Sequence, residues 1–173
     1  MDLRDIKEWI KDITKYMMIA IIVLLTMIYV VSLQQVLGPS MSPNYQDGDI
    51  LILNKLHYRL QKPKRFDVAA IQYNDTKYFI KRVIGLPGET VAYQDGTLYV
   101  NGEMVEEHFT MFDQTADFSL EEIGYDVIPE GYYLVVGDNR GNSLDSRSKE
   151  VGLIKKSDFI GKVMFRIWPF RRK

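Results

Sequence analysis

Hydrophobic residues divide the chain into one long apolar run and a series of short ones. Residues 16–33 carry no charge. A helix of this length spans roughly 27 Å, close to the ~30 Å hydrocarbon core of a bilayer. Acidic and basic residues alternate over 1–15 around apolar positions, as in an amphipathic helix. The pattern predicts an N-terminal segment over residues 1–15 and a transmembrane anchor over residues 16–35.

Three interpretations of the long run compete: a buried core helix, a cleaved signal peptide and a retained anchor. The run is long for the first two, and no small-x-small cleavage site follows it. Four Lys or Arg residues precede the run and none follows before Lys55. The positive-inside rule then places the N-terminus in the cytoplasm and everything after Leu37 outside the cell membrane.

The short apolar runs are bounded by turn residues, which is typical of β-strands. Asp95-Gly96 and Asn101-Gly102 are strong hairpin signals, because type I′ turns need a positive φ at both central residues. Residues 104–129 are polar and acidic, and we expect them to leave the main sheet. The predicted fold is mainly β, with one transmembrane helix followed by an exterior all-β domain over 36–173. The predicted strands are 49–53, 67–73, 77–84, 97–100, 132–136 and 162–167.

Composition excludes several kinds of site. The net charge of -1 gives no electrostatic case for binding nucleic acid. The chain has no cysteine, so it has no disulfide framework and no thiolate ligand or nucleophile. Its two histidines, His57 and His108, lie in no recognisable ligand or triad pattern. We therefore expect no metal and no cofactor.

Ser40 lies directly after the apolar run, between Pro39 and Pro43. Each proline fixes its own φ and biases the residue before it towards extended backbone. Ser40 is therefore presented on stiff, non-helical chain. Such a stretch is either a rigid spacer that lifts a domain off the bilayer or a support for a nucleophile.

Lys81 lies inside an apolar strand, on the same face as Phe79 and Val83, while Arg82 points to the opposite face. Burial disfavours the charged form of lysine and lowers its pKa. At a pKa of ~10.4 only about 0.04 % of lysine is neutral at pH 7, whereas a pKa near 8 leaves roughly 10 % neutral and usable as a base. The alternative is an edge-strand lysine in water.

Residues 137–147 follow a predicted strand and are dense in polar groups. They include two acids, two arginines and two serines, as a solvated loop can. The same composition can also build a hydrogen-bonded platform that holds a neighbouring side chain in place.

Three stretches, Gly38-Pro39-Ser40-Met41-Ser42-Pro43, the run KRVIGLPG at 81–88 and the run GDNRGNSLDSR at 137–147, together resemble the type I signal peptidases of Gram-positive bacteria. The resemblance covers essentially the whole chain. It implies a membrane-bound serine endopeptidase that removes N-terminal signal peptides from exported preproteins after Ala-x-Ala-like sites.

The resemblance also assigns roles. Ser40 would be the nucleophile and neutral Lys81 its general base, with the Ser40 N–H in the oxyanion hole. Three supporting interactions are implied: Ser143 orients the Lys81 amine, Asp138 pairs with Arg82, and Asp145 pairs with Arg147. Shallow apolar pockets for the substrate would be lined by Val36, Leu37, Met41, Phe79 and Ile80, and the substrate would add as a β-strand near residues 78–81.

The chain departs from the family pattern at Gly38, where some relatives have a hydroxyl, and at Ser42 and Asn44. A specialised or non-catalytic relative, acting as an assembly factor for surface proteins such as pili, is therefore the alternative function. An anchored all-β binding module remains only if the resemblance is set aside. The implied partners are preprotein signal peptides and membrane lipid, and the protein is expected to be a monomer.

Overall fold

The computed structural model describes residues 2–74 and 78–170. A long N-terminal helix, α1 (Leu3–Tyr29), precedes eleven strands, and a one-turn helix, α2 (His57–Leu60), follows the second strand. The strands are β1 (Val31–Gln35), β2 (Ile50–Asn54), β3 (Val68–Gln72), β4 (Tyr78–Gly85), β5 (Val91–Gln94), β6 (Thr97–Val100), β7 (Glu103–Val105), β8 (Phe118–Ser119), β9 (Tyr132–Val136), β10 (Ile154–Lys155) and β11 (Phe159–Trp168).

Helix α1 is long and apolar enough to cross a membrane, and none of its residues is buried against the rest of the described chain. It runs without a break through the predicted N-terminal segment. Its backbone starts in a capping box, in which Asp5 accepts a hydrogen bond from the Asp2 N–H at 3.0 Å. The crossing of a membrane remains a prediction.

The helix ends at Tyr29, six residues before the predicted end of the anchor at residue 35. Residues 31–35 form strand β1, which pairs antiparallel with β2 from Val31 opposite Asn54 to Gln35 opposite Ile50. Apolar composition alone does not distinguish this strand from the end of the helix. The ladder with β2 decides between them, because it satisfies the backbone polar groups of residues 31–35.

A seven-stranded sheet has the order β1-β2-β11-β3-β4-β9-β10 with antiparallel neighbours. The mainly β prediction is confirmed, and each predicted strand overlaps an observed one. The predicted first residue of β4, Lys77, lies outside the described residues.

A second, four-stranded sheet has the order β7-β6-β5-β8. The two predicted hairpin turns connect its strands, and Asp95, Gly96, Asn101 and Gly102 all have positive φ, as those turns require. The predicted excursion over 104–129 contains the end of β7, strand β8 and a short 3₁₀ turn, Leu120–Ile123. Most of that excursion is irregular and packs by side-chain contacts described below.

Strand β4 contributes to all three apolar clusters of the domain. Ile80 packs with Val36 and Met41, Val83 with Tyr133, and Ile84 with the residues of the small sheet. A strand packed on both faces is held rigidly. It is therefore a suitable support for the two cationic side chains that it carries at its centre.

Candidate active site

Ser40 lies in the loop that connects β1 to β2. Gly38 precedes it with a φ of 81°, a conformation that favours glycine, and its N–H donates to Asp47 Oδ1 at 2.8 Å. Asn139 holds the same loop from the other side: its backbone N–H donates to the Ser40 carbonyl at 3.0 Å and its side-chain amide to the Pro39 carbonyl at 3.2 Å. The backbone of Ser40 is thus fixed by two separate segments.

Lys81 Nζ lies 2.7 Å from Ser40 Oγ, within hydrogen-bonding distance. The lysine is only 3 % exposed, and burial lowers its pKa to about 8. The carboxylates of Asp145 and Asp138 act in the opposite direction, and Arg147 adds to the lowering. A lysine in this state can accept the proton of a serine hydroxyl at neutral to mildly alkaline pH.

Arg82 points to the opposite face of β4, where the expected ion pair with Asp138 is present. The guanidinium makes two hydrogen bonds to the Asp138 carboxylate, at 2.8 and 2.6 Å, and a third to the Phe66 carbonyl at 3.0 Å. Asn44, one of the departures from the family pattern, donates to Asp138 Oδ2 at 2.8 Å and to the Thr110 carbonyl at 2.8 Å. Asn44 therefore joins the loop that carries Ser40 to the platform.

Asp145 and Arg147 also form the expected pair, with both nitrogen-to-oxygen distances at 2.9 Å. Burial would raise the pKa of the Asp145 carboxyl, but hydrogen bonds from Arg147 and from the Gly137 N–H lower it overall. Arg147 additionally donates to the Arg140 carbonyl at 2.9 Å. The platform predicted from residues 137–147 is thus assembled from its own side chains.

Ser143 does not make the hydrogen bond to Lys81 that the family resemblance implies. Its hydroxyl oxygen is buried and has no hydrogen-bond partner among the described residues. The hydroxyl lies close enough to Asp145 to favour the charged carboxylate, but not in hydrogen-bonding geometry. Instead, Ser143 packs against Gly137, which has no side chain. A Cβ at that position would clash with Ser143 Oγ and would lie 2.5 Å from the Ser40 carbonyl oxygen.

Gly137 is therefore a site residue that the sequence interpretation did not single out. The only signal was its position at the start of the polar stretch, directly after β9.

A groove of ≈ 320 Å³ opens beside the Ser40–Lys81 pair. Of the predicted substrate-binding residues, Val36, Leu37, Phe79 and Ile80 line it. Met41 does not: it is fully buried in the apolar cluster around Ile80, so the prediction for its side chain is corrected. The groove is also lined by Tyr78, which was predicted only as part of the strand edge that takes up the substrate, and by Gln34 and Gln35, which were not predicted.

Two strand edges border the groove. Residues 78–81 of β4 pair with β3 on one side, and β9 starts to pair on the other side only at Arg82. Strand β1 pairs with β2 alone in the described chain. Backbone donors and acceptors on both edges can therefore take up an extended peptide.

Arg140 connects the platform to the excursion over 104–129. Its guanidinium contacts Glu107 at 2.6 Å, the Tyr93 hydroxyl at 2.8 Å and the Thr115 hydroxyl at 2.7 Å. The Arg140 and Glu107 side chains are 0 % and 5 % exposed. Sequence reasoning missed this pair, because nothing in the polar excursion marked Glu107 as different from the acids around it.

The described residues contain no group of three or more His, Asp or Glu side chains that could hold a metal ion. The chemistry available at this site is that of a serine hydroxyl, a buried amine and the backbone N–H groups nearby.

Comparison with known proteins decides the family. A family model described as "Signal peptidase, peptidase S26" matches residues 6–168. The chain belongs to this family. It is 41 % identical to signal peptidase I of Bacillus caldolyticus, over 89 % of each protein. It is 35 % identical to signal peptidase IB of Staphylococcus aureus strain COL, over 96 % of this chain and 92 % of the relative.

A solved structure of signal peptidase I from Enterococcus faecalis V583 is also similar. The two sequences are 38 % identical and the structures superpose with a TM-score of 0.53. The match covers 60 % of this chain and 98 % of the Enterococcus chain. The family resemblance and the signal-peptidase type of the β domain are confirmed. These relatives support an enzyme of the signal peptidase I class that removes signal peptides.

Proposed function

We propose that the protein is a membrane-anchored serine endopeptidase in which Ser40 and Lys81 form a catalytic dyad. The observation that carries the proposal is the 2.7 Å separation of Lys81 Nζ and Ser40 Oγ, in a setting that lowers the lysine pKa to about 8. Its substrates are the signal peptides of exported preproteins.

In the first half of the reaction, neutral Lys81 takes the Ser40 hydroxyl proton while Oγ attacks the scissile carbonyl carbon. The oxygen of the tetrahedral intermediate is stabilised by the Ser40 N–H, which makes no hydrogen bond with the described part of the chain. The Lys81 ammonium then protonates the leaving amine nitrogen, and the C–N bond breaks. The mature protein leaves, and the signal peptide stays as an ester on Ser40.

In the second half, Lys81 takes a proton from water as the water oxygen attacks the ester carbonyl. The ester bond to Ser40 breaks, and Lys81 returns a proton to Oγ. No other acid–base group is required, because one amine serves in both directions.

Substrate selection follows from the groove. Its walls carry Val36, Leu37, Phe79 and Ile80, an apolar lining that suits uncharged side chains. The resemblance to the type I signal peptidases adds that these side chains are small. A peptide lying extended between β1 and residues 78–81 presents alternate side chains to these walls. We therefore propose cleavage after Ala-x-Ala-like sites.

The anchor places the dyad near the bilayer. Ser40 follows the end of α1 by eleven residues, so the dyad lies close to the point where a signal peptide leaves its own apolar segment. Four Lys and Arg residues precede the apolar run and none follows it before Lys55, so the N-terminus is cytoplasmic and the β domain is extracellular. Both dyad residues come from one chain, which fits a monomer.

The test is cleavage of a preprotein with an Ala-x-Ala site by the full chain in detergent or lipid. We expect Ser40→Ala and Lys81→Ala to lose about 10³-fold or more in kcat/KM, since either removes the dyad. Ser42→Ala is the matched control in the same loop and is expected to cleave normally. Equal cleavage by Ser40→Ala would refute the dyad. A wild-type protein that binds but does not cut signal peptides would instead support the assembly-factor alternative.

A further inference from the structure

A second cleft, of ≈ 400 Å³, shares no lining residue with the Ser40 groove. Three cationic side chains border it, and no acidic residue does. The residues that matter are Lys55, Arg59, Lys156, Ser157, Tyr58 and Phe159. The first four supply charge and a hydroxyl, and the two aromatic rings form an apolar floor, packed edge-to-face at 5.3 Å.

This cleft adjoins the C-terminal end of α1. Lys55 Nζ donates a hydrogen bond to the Ile28 carbonyl, and the Lys55 N–H donates to the Val30 carbonyl at 2.8 Å. The last turn of α1 contains no basic residue, so Lys55 is the cation that meets the negative end of the helix dipole. With α1 spanning the bilayer as proposed above, the cleft lies at the height where the anchor leaves the hydrocarbon, which is the height of the phospholipid phosphates.

The cations of this cleft are not neutralised by nearby acids. Arg59 and Lys156 form no ion pair among the described residues, whereas Lys62, close by in sequence, pairs with Glu130. Asp67, which accepts from the Tyr58 hydroxyl at 3.4 Å, is occupied by Lys162 at 2.6 Å. The remaining acid in this region, Asp158, accepts a hydrogen bond from Ser157 at 2.9 Å. The net charge facing the cleft is positive.

We propose that this cleft binds the phosphate of an anionic phospholipid headgroup, such as phosphatidylglycerol, in the leaflet at the C-terminal end of α1. Arg59 offers paired N–H donors and Lys156 an ammonium, which together suit a phosphate. Tyr58 and Phe159 contact the glycerol and the first acyl carbons. The bound lipid holds the β domain against the bilayer and fixes the height of the Ser40 groove. The inference rests on the membrane-anchoring part of the proposed function, but not on the dyad.

The experiment measures lipid binding rather than cleavage. The full chain is purified in a neutral detergent and titrated with short-chain phosphatidylglycerol, and bound lipid is counted by native mass spectrometry. Short-chain phosphatidylcholine and inorganic phosphate are titrated in parallel. The test variant is Arg59→Gln/Lys156→Gln, which spares the bond between Lys55 and α1. The control, Lys62→Gln/Lys149→Gln, removes the same charge from exposed positions outside the cleft.

We expect the test variant to bind phosphatidylglycerol at least about 5-fold more weakly than wild type, and the control to bind it normally. Equal weakening in both variants would overturn the site in favour of general charge attraction. Inorganic phosphate competing as well as the lipid would overturn the lipid assignment in favour of a small anion. A wild-type chain that binds phosphatidylglycerol but does not cut a signal peptide would contradict the dyad alone, so the two proposals fail separately.

Discussion

The two faces of strand β4 surround neighbouring cationic side chains with different partners. Lys81 and Arg82 are adjacent, and they are 3 % and 9 % exposed. Arg82 meets a carboxylate that makes two hydrogen bonds to its guanidinium. Among the described residues, the Lys81 amine contacts the Ser40 hydroxyl and the Phe79 ring, whose centroid is 5.0 Å from Nζ. Arg82 therefore stays charged in its ion pair, whereas burial favours the neutral form of the Lys81 amine.

The residue types explain the difference. A guanidinium cannot lose its proton in a protein, so a buried arginine requires an acceptor such as Asp138. A lysine amine can become neutral when it is desolvated, and only the neutral amine can act as a base. Exchange of the two side chains would therefore give neither a base nor a stable ion pair.

The lowered pKa of Lys81 also affects stability. Between pH 8 and 10.5 the unfolded chain keeps a lysine proton that the folded chain has released, so the free energy of unfolding rises with pH over that window. Below pH 8 the lysine is protonated in both states, and its burial lowers the free energy of unfolding by the full amount. A pKa shift from 10.5 to about 8 corresponds to about 3 kcal/mol. The buried Lys81 amine therefore lowers folding stability at neutral pH.

The largest contrast is expected between Lys81→Met and Arg82→Met. Lys81→Met should lose about 10³-fold or more in activity while raising the free energy of unfolding at pH 7 by about 1–3 kcal/mol, because it removes a desolvated amine. Arg82→Met should lower the free energy of unfolding by about 3–5 kcal/mol, because the substitution leaves the Asp138 carboxylate buried without its ion-pair partner.

Thermal unfolding of both variants in the same detergent, beside cleavage assays, measures this contrast. If Lys81→Met unfolds at a lower temperature than wild type, as Arg82→Met should, the two faces do not differ in the way described.

A second prediction concerns the close packing of Gly137 against Ser143 and the loop that carries Ser40. In Gly137→Ala the new Cβ clashes with Ser143 and the Ser40 carbonyl, so Ser40 must move. We expect about a 10²-fold loss in kcat, as for a misplacement of about 1 Å. Gly141→Ala lies in the same polar stretch, and its Cβ would meet nothing closer than Asp113 Oδ2 at 3.3 Å. If the two alanine variants are equally active, the close approach at Gly137 is not required.

A third prediction tests the excursion as a support for the platform. Glu107→Gln should lower the free energy of unfolding by about 2–3 kcal/mol, because the buried Arg140 charge loses its carboxylate. It should also reduce kcat more than it raises KM, since Arg140 supports Arg147 through its carbonyl. The neighbour Glu106 is 78 % exposed, so Glu106→Gln should change little. Equal effects on stability would show that the Glu107–Arg140 pair does not brace the loop.

The smallest effect is expected in a pH profile. Asp145 raises the pKa of Lys81, so Asp145→Asn should move the acidic limb of kcat/KM to lower pH. Asp158→Asn is the control, because Asp158 is not among the groups that shift the Lys81 pKa. A limb that moves to higher pH would contradict this electrostatic assignment.

Much of this arrangement could be predicted from local pattern. The period of two in β4 placed Lys81 and Arg82 on opposite faces, and the turn dipeptides located the hairpins of the small sheet. These features depend on residues close together in sequence, and they are recorded in the alternation of side chains.

Other features depend on contacts between distant segments. Residues 31–35 were predicted as part of the anchor, but they form β1, because pairing with β2, not composition, decides their conformation. Met41 was assigned to the groove by its closeness to Ser40, but packing turns its side chain into the core. The partner of Arg140 lies in a segment without periodicity. Sequence patterns do not encode such pairings.

The most direct test of the central claim is the pH dependence of kcat/KM for the wild-type enzyme on an Ala-x-Ala preprotein, from pH 5 to pH 10. If Lys81 is the base, activity rises with pH as the amine loses its proton, with an apparent pKa of about 8 and about a tenth of the maximum at pH 7. A profile that is flat over the whole range would contradict Lys81 as the general base.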